Sequence, residues 1–155
     1  MSDTDSSSPI SLLRALPAGA RVLGIDLGSK TIGLALSDSS RTIASPLETI
    51  RRSKFSKDSK TLADICAAHD IHGIILGLPL SMDGSEGPRV QSTRAFARNL
   101  SAVIDIPIGF WDERLSTAAV TRTLLEADRS RKRRAELVDK MAAAYILQGA
   151  LDAAR

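Results

Sequence analysis

The apolar and polar positions of the chain fall into short segments with two different periods. RVLGIDL (21–27) and TIGLALS (31–37) are apolar runs of strand length separated by the glycine-containing GSK, a spacing that predicts a β-hairpin with a tight turn. RTIASPLETI (41–50) reads as a third strand, with Pro46 placing it near an edge or bending it. DSKTLADICAAHD (58–70) brings Leu62, Ile65 and Cys66 to helical spacing. HGIILG (72–77) is continuously apolar, as a strand buried on both faces should be. After the Gly- and Pro-rich loop LPLSMDGSEGP (78–88), VQSTRAFARNLSAVI (90–104) is helical again and IPIGFWDE (106–113) is a fifth strand. Ser116 reads as the cap of a helix over 118–127, and the Ala- and Leu-rich segment 135–154 is the strongest helix of the chain. The order β-β-β-α-β-α-β-α-α predicts an α/β fold, a mixed five-stranded sheet with helices on both faces.

Composition narrows what such a sheet serves. The 155 residues suffice for one domain with a real core, expected over 19–155, and residues 1–18 read as a mostly disordered, weakly acidic arm. The first residues lack the basic start and long apolar core of a secretory signal, and GIILGLPL (73–80) is far too short to span a bilayer. Cys66 is the single cysteine, which excludes an internal disulfide. A cytoplasmic protein without a membrane partner is expected. The net charge is only +3, but RSRKRR (129–134) and RRSKFSKDSK (51–60) each concentrate five basic side chains. Such clusters suit a polyanion; they also suit a solvated surface.

Acidic residues at three places in the chain sit badly for a purely structural protein. Asp26 lies between Ile25 and Leu27 in the first strand and shares its face with Gly24 and Gly28, which would leave room for a metal or a phosphate. Its other reading is hydrogen bonding within the turn. Asp112 and Glu113 end the fifth strand, where open α/β sheets concentrate their chemistry. Adjacent strand residues face opposite ways, so at most one points into a site while the other pairs with Arg114 or caps a helix. Asp139 heads the helical stripe 139, 143, 146, 150, a face otherwise built for packing. Gathered carboxylates repel, and a divalent cation relieves that repulsion; oxygen ligands point to Mg²⁺ or Mn²⁺. His69 and His72 lack a third ligand at zinc-like spacing. Aromatic residues make up 3% of the chain, so recognition by extensive base stacking is not expected.

GIDLGSKTIGLALSD, GLPLSMDGSEG, DERLSTAA and VDKMAAAYILQGALD, in this order, resemble the YqgF (RuvX) family of bacterial RNase H-like proteins. The resemblance covers most of residues 21–152. It implies an RNase H-like nuclease domain acting in 5′-end processing of pre-16S ribosomal RNA, a step of ribosome biogenesis, or alternatively on Holliday junctions. It further implies an acidic triad of Asp26, Glu113 and Asp139 holding two Mg²⁺ or Mn²⁺ ions, with Asp112 as the alternative second acid. Phosphate contacts would come from Lys30, where the family commonly has arginine, from Arg114, and from Arg131, Lys132, Arg133 and Arg134. The expected partner is structured RNA or branched DNA, bound by a monomer or homodimer. Two rivals follow from the same residues. One is the phosphate-binding segment of the actin and sugar-kinase superfamily, for which the chain has room for only one of the two domains normally required. The other is a non-catalytic RNA-binding assembly factor.

Overall fold

The computed structural model describes residues 8–115 and 131–155, apart from the side chains of 131–139. The hairpin forms as the alternation predicts: β1 (Arg21–Leu27) and β2 (Thr31–Ser37) are antiparallel, with Leu23 opposite Leu36 and Asp26 opposite Gly33. Gly28 closes the turn by donating its N–H to the Thr31 carbonyl at 2.8 Å. Among the described residues only Gly19 and Gly84 are glycines with positive φ, so the turn does not use the left-handed freedom of Gly28. β3 (Ala44–Arg51) is the outer strand, antiparallel to β2. Pro46, which has no N–H to donate, sits beside a register shift between Leu34 and Ala35.

The chain then crosses over twice. α2 (Phe55–Ala68) leads to β4 (Ile71–Leu78), parallel to β1, and α3 (Pro88–Ser101) leads to β5 (Ile108–Asp112), parallel to β4. The sheet order is β3-β2-β1-β4-β5. Glu113–Leu115 form a 3₁₀ turn, and α4 (Arg131–Ala153) is the long last helix. It is already helical at Arg131, four residues before the predicted start, as befits Arg and Lys, which are good helix formers. The helix expected over 118–127, with its cap at Ser116, lies outside the described residues.

Strand alternation sorts the core into two clusters. On one face Leu23, Ile25, Leu34, Ile74 and Leu76 pack with Leu62 and Cys66 of α2 and Phe96 and Leu100 of α3. Burial pushes the Cys66 thiol up to about 11, so it behaves as a small hydrophobe. On the other face Val22, Ala35, Ile75 and Trp111 meet Ala143, Ile146, Leu147 and Ala150 of α4. The stripe 143, 146, 150 is thus buried as its period predicts.

The N-terminal expectation is corrected for part of its length. Residues 9–14, assigned to a disordered arm, form the helix α1 (Pro9–Arg14), capped by the Ser8 hydroxyl, which accepts from the N–H groups of Ile10 and Ser11. Leu12 and Leu13 are buried, and Leu12 fills the space above Gly73 and Gly109. Arg14 donates to the carbonyls of Ala154 and Arg155, tying α1 to the end of α4. The Ser-rich composition concealed a short apolar helix whose two leucines complete the second cluster. Among the described residues no helix is long and apolar enough to cross a membrane.

Candidate active site

Asp26 is 2% exposed, although it is charged. Alternation puts it on the face of Gly24, and that face is closely covered. A Cβ on Gly24 would lie 2.8 Å from Cβ of Leu147 and 3.1 Å from the carbonyl oxygen of Ala143. Glycine here lets α4 approach the sheet at backbone distance. Asp26 lies two residues further along, where β1 leaves that contact.

Glu113 reaches the same face from the 3₁₀ turn that follows β5. Trp111 of β5 packs against Gly149 of α4; the strand ends at Asp112, and Glu113, first in the turn, is buried at 4% exposure. Its Oε2 lies 3.0 Å from the position a Cβ would take on Gly77, and Cδ1 of Ile146 lies 2.5 Å from that position. One step beyond the Ile25–Leu76 pair, the β1–β4 ladder brings Asp26 level with Gly77. Two buried carboxylates from β1 and the end of β5 therefore flank a glycine on the β4 strand between them. These are hard oxygen donors, and they fit a divalent cation such as Mg²⁺ or Mn²⁺; any side chain at 77 would press on Ile146 and on Oε2 of Glu113.

Asp112 points the other way and is engaged by Arg114. The guanidinium donates through Nε to both carboxylate oxygens at 3.1 Å and through Nη2 to Oδ2 at 2.7 Å, while the Arg114 N–H donates to Oδ1 at 2.9 Å. Arg114 beside it holds the Asp112 carboxyl below the usual carboxylate range. Of the two acids left open by the sequence, Glu113 is the one on the covered face. The pairing of one acid with Arg114 is the one expected from the sequence, and Nη1 of Arg114 donates to the Met82 carbonyl at 3.3 Å. It tethers the 81–87 loop to the end of β5.

That loop has its own hydrogen bonds. Ser81 donates to the Ser85 carbonyl at 3.0 Å, Gly84 to the Ser81 carbonyl at 2.7 Å, and Ser85 through N–H and hydroxyl to Asp83. Gly84 takes φ +86°, where glycine is the residue of least strain. Glu86 pairs with Arg94 at 2.8 Å, joining the loop to α3. Lys30 is exposed at the tip of the β1–β2 turn. Asp139 lies on α4 one turn before Ala143, but its side chain and those of Arg131, Lys132, Arg133 and Arg134 lie outside the described residues. Among the described residues no set of three or more His, Cys, Asp or Glu side chains gathers as a metal site. His72 instead lies 3.8 Å from Asp70 on the surface.

Two contributors were missed in the sequence. Gly77 was read only as part of an apolar strand, although a glycine inside such a run signals close approach of another group. Arg52 was read only as one of many basic residues; its Nη1 donates to the Gly28 carbonyl at 2.7 Å and its backbone N–H to the Lys30 carbonyl at 2.8 Å. No local pattern distinguishes it from its neighbours.

The model of the RuvX family, described as Holliday junction resolvase, matches residues 20–153. The chain belongs to the RuvX family. A relative from Paramagnetospirillum magneticum is 65% identical over 145 residues, 94% of each chain, and one from Ruegeria sp. is 67% identical over 141 residues, 91% of this chain and 90% of its own. Both carry the name "Putative pre-16S rRNA nuclease". Among solved structures, Thermus thermophilus RuvC in complex with Holliday junction substrate superimposes with a TM-score of 0.54 at 15% identity, covering 86% of this chain and 94% of that one. The yeast mitochondrial Holliday junction resolvase gives 0.50 at 12% identity, covering 97% and 85%. At such identities the likeness is one of fold. It places this RuvX member among the RNase H-like resolvases and nucleases in architecture.

Proposed function

We propose that this RuvX member is a metal-dependent nuclease that hydrolyses phosphodiester bonds in structured RNA, acting in 5′-end maturation of pre-16S rRNA. The observation that carries the reading is the burial of Asp26 and Glu113 on one face around Gly77. Two carboxylates on one face offer the hard oxygen donors that a divalent cation takes. The names carried by relatives at 65% and 67% identity support the choice of RNA. In this reading the protein works in the cytoplasm as part of ribosome biogenesis.

Asp26, Glu113 and Asp139 would hold one or two Mg²⁺ or Mn²⁺ ions. Bound there, the cations supply Lewis-acid polarisation of the phosphoryl group and neutralise charge developing on its oxygens. Asp26 and Glu113 keep their oxygens in place because β1 and the 3₁₀ turn after β5 fix their backbones and α4 closes the face behind them. Lys30 and the 131–134 cluster bind flanking phosphates, and the Asp112–Arg114 pair holds the 81–87 loop at the rim.

The family description favours a second reading, cleavage of four-way DNA junctions. Metal-dependent cleavage of end-labelled structured RNA and junction DNA tests both, with wild type run beside Asp26→Asn and Glu113→Gln. Cleavage that both variants lose is the expected result, and the preferred substrate decides between RNA and DNA. Binding without cleavage of either would replace the nuclease with an assembly factor.

A further inference from the structure

The fold brings the first half of the basic stretch 51–60 to the end of the sheet that holds Asp26. Arg51 is paired with Thr31 at the mouth of the hairpin turn, beside Lys30. Arg52 turns inward: it bonds the carbonyl of Gly28, two residues past Asp26, and its guanidinium lies 5.9 Å above the Phe96 ring. Ser53 is held from below by Asp58, a carboxylate only 3% exposed. The Ser53 N–H donates to both Asp58 oxygens at 3.2 and 3.0 Å, and its hydroxyl to Oδ1 at 3.0 Å. The Lys54 carbonyl then accepts from the N–H groups of Lys57 and Asp58 at 3.0 Å each, starting α2.

The backbone of 51–54 is therefore fixed at successive residues, while Lys30, Arg51, Lys54 and Lys57 project into solvent. Cations that merely aid solubility need no such support, and gathering them on a rigid backbone costs mutual repulsion. We propose that Lys30, Arg51 and Lys54 form a pre-shaped phosphate-binding ridge that seats the sugar–phosphate backbone of the nucleic acid beside the Asp26–Glu113 site. The proposal rests on the nuclease reading and deepens it by naming the surface that receives the strand next to the scissile bond. A run of phosphates is the ligand that rewards a row of cations, because each neutralised phosphate releases condensed counterions. The adjoining acid pair would itself repel a polyanion, so attraction must come from the flank.

The salt dependence of binding tests the ridge. A fluorescently labelled RNA hairpin is titrated in EDTA, which prevents metal-dependent cleavage, at several salt concentrations. Wild type is compared with Arg51→Gln/Lys54→Gln and with Arg98→Gln/Arg155→Gln. The second pair removes the same charge at the opposite end of the sheet, where α3 ends and Arg155 bonds the Thr42 carbonyl. Loss of two phosphate contacts should lower the slope of log K against log salt by about 2 in the ridge variant, with the control unchanged. An equal fall in both would reduce the effect to net charge, and no fall in either would leave the ridge without a ligand; each overturns the proposal. Wild type that binds through the ridge yet never cleaves would sink the nuclease reading alone. Failure of wild type to bind would end both.

Discussion

The two faces of the sheet are built from the same strands but from different residues. Towards α2 and α3 the strands present Leu23, Ile25, Leu27, Ile32, Leu34, Ile74 and Leu76, a continuous aliphatic layer. Towards α4 the positions between them include Gly24, Ala35, Gly73 and Gly77, with the carboxylates of Asp26 and Glu113 at the rim. The first face is filled by large side chains, each of which contributes about 1.5–3 kcal/mol when fully buried. The second exchanges side-chain volume for close approach of a helix backbone, which leaves room for charge at its end. Each face also holds buried acids. Asp58, on the α2 side, has both oxygens bonded to Ser53, whereas Asp26 and Glu113 lie on the α4 side, with Oε2 of Glu113 close to Gly77.

The contrast is tested most severely at the acids. Asp26→Asn and Glu113→Gln are expected to lower the cleavage rate on the order of 10³-fold, as loss of a pre-organised electrostatic group does elsewhere. Their melting temperatures should stay level or rise, since relief of carboxylate repulsion stabilises a functional site. A coincident collapse of Tm and activity would make these acids structural. Leu76→Ala, on the filled face, should cost about 2–5 kcal/mol in chemical denaturation and leave cleavage by the folded fraction intact. Its neighbour Gly77→Ala should cost less, about 1–3 kcal/mol, because the added methyl overpacks against Ile146. Yet it should suppress cleavage, because that methyl also presses on Oε2 of Glu113. If Leu76→Ala proved the more inactivating of the two, the division of labour between faces would be wrong. Asp58→Ala should cost about 1–3 kcal/mol by leaving the Ser53 N–H without its acceptor.

The filled face was the legible one. Strand alternation and helical period depend on hydrophobic burial, which is written locally, so β1, β2, β4 and the 143–146–150 stripe emerged close to their observed positions. Asp26 was legible for the same reason, as an exception to an apolar run. The choice between Asp112 and Glu113 was not, because alternation gives relative but not absolute phase. Trp111, read only as core, fixes the phase of β5 by facing α4, and the 3₁₀ turn that begins at Glu113 buries that acid, a turn no local pattern announces. The helix α1 was hidden by its Ser-rich setting, since its two leucines are buried by distant elements, Leu12 over Gly73 and Gly109 and both in the cluster with α4. Arg52 and Asp58 were invisible because their roles are set by tertiary neighbours and not by spacing.

The smallest expected effect separates the two adjacent acids and depends on pH. The Arg114 guanidinium depresses the carboxyl of Asp112 from its ordinary value of 3.8. Asp83 is lowered by the hydroxyl and N–H of Ser85, and Glu86 by Arg94. The first and third attach the 81–87 loop to β5 and α3, and the second braces the loop internally. A carboxyl depressed on folding contributes stability that is fully present above its unfolded value and is lost as pH falls through its folded value. The loop should therefore loosen below about pH 4, seen as faster proteolysis there by an acid-tolerant protease while the sheet remains folded. Asp112→Asn should weaken that acid response and cost at most about 1 kcal/mol at neutral pH, as expected for a partly exposed ion pair. Its cleavage rate should fall less than about tenfold, because a tether placed at the rim loses positioning and not a ligand. Were Asp112→Asn as damaging as Glu113→Gln, the carboxylate bound to Arg114 would belong to the site, and the covered face would not by itself define the chemistry.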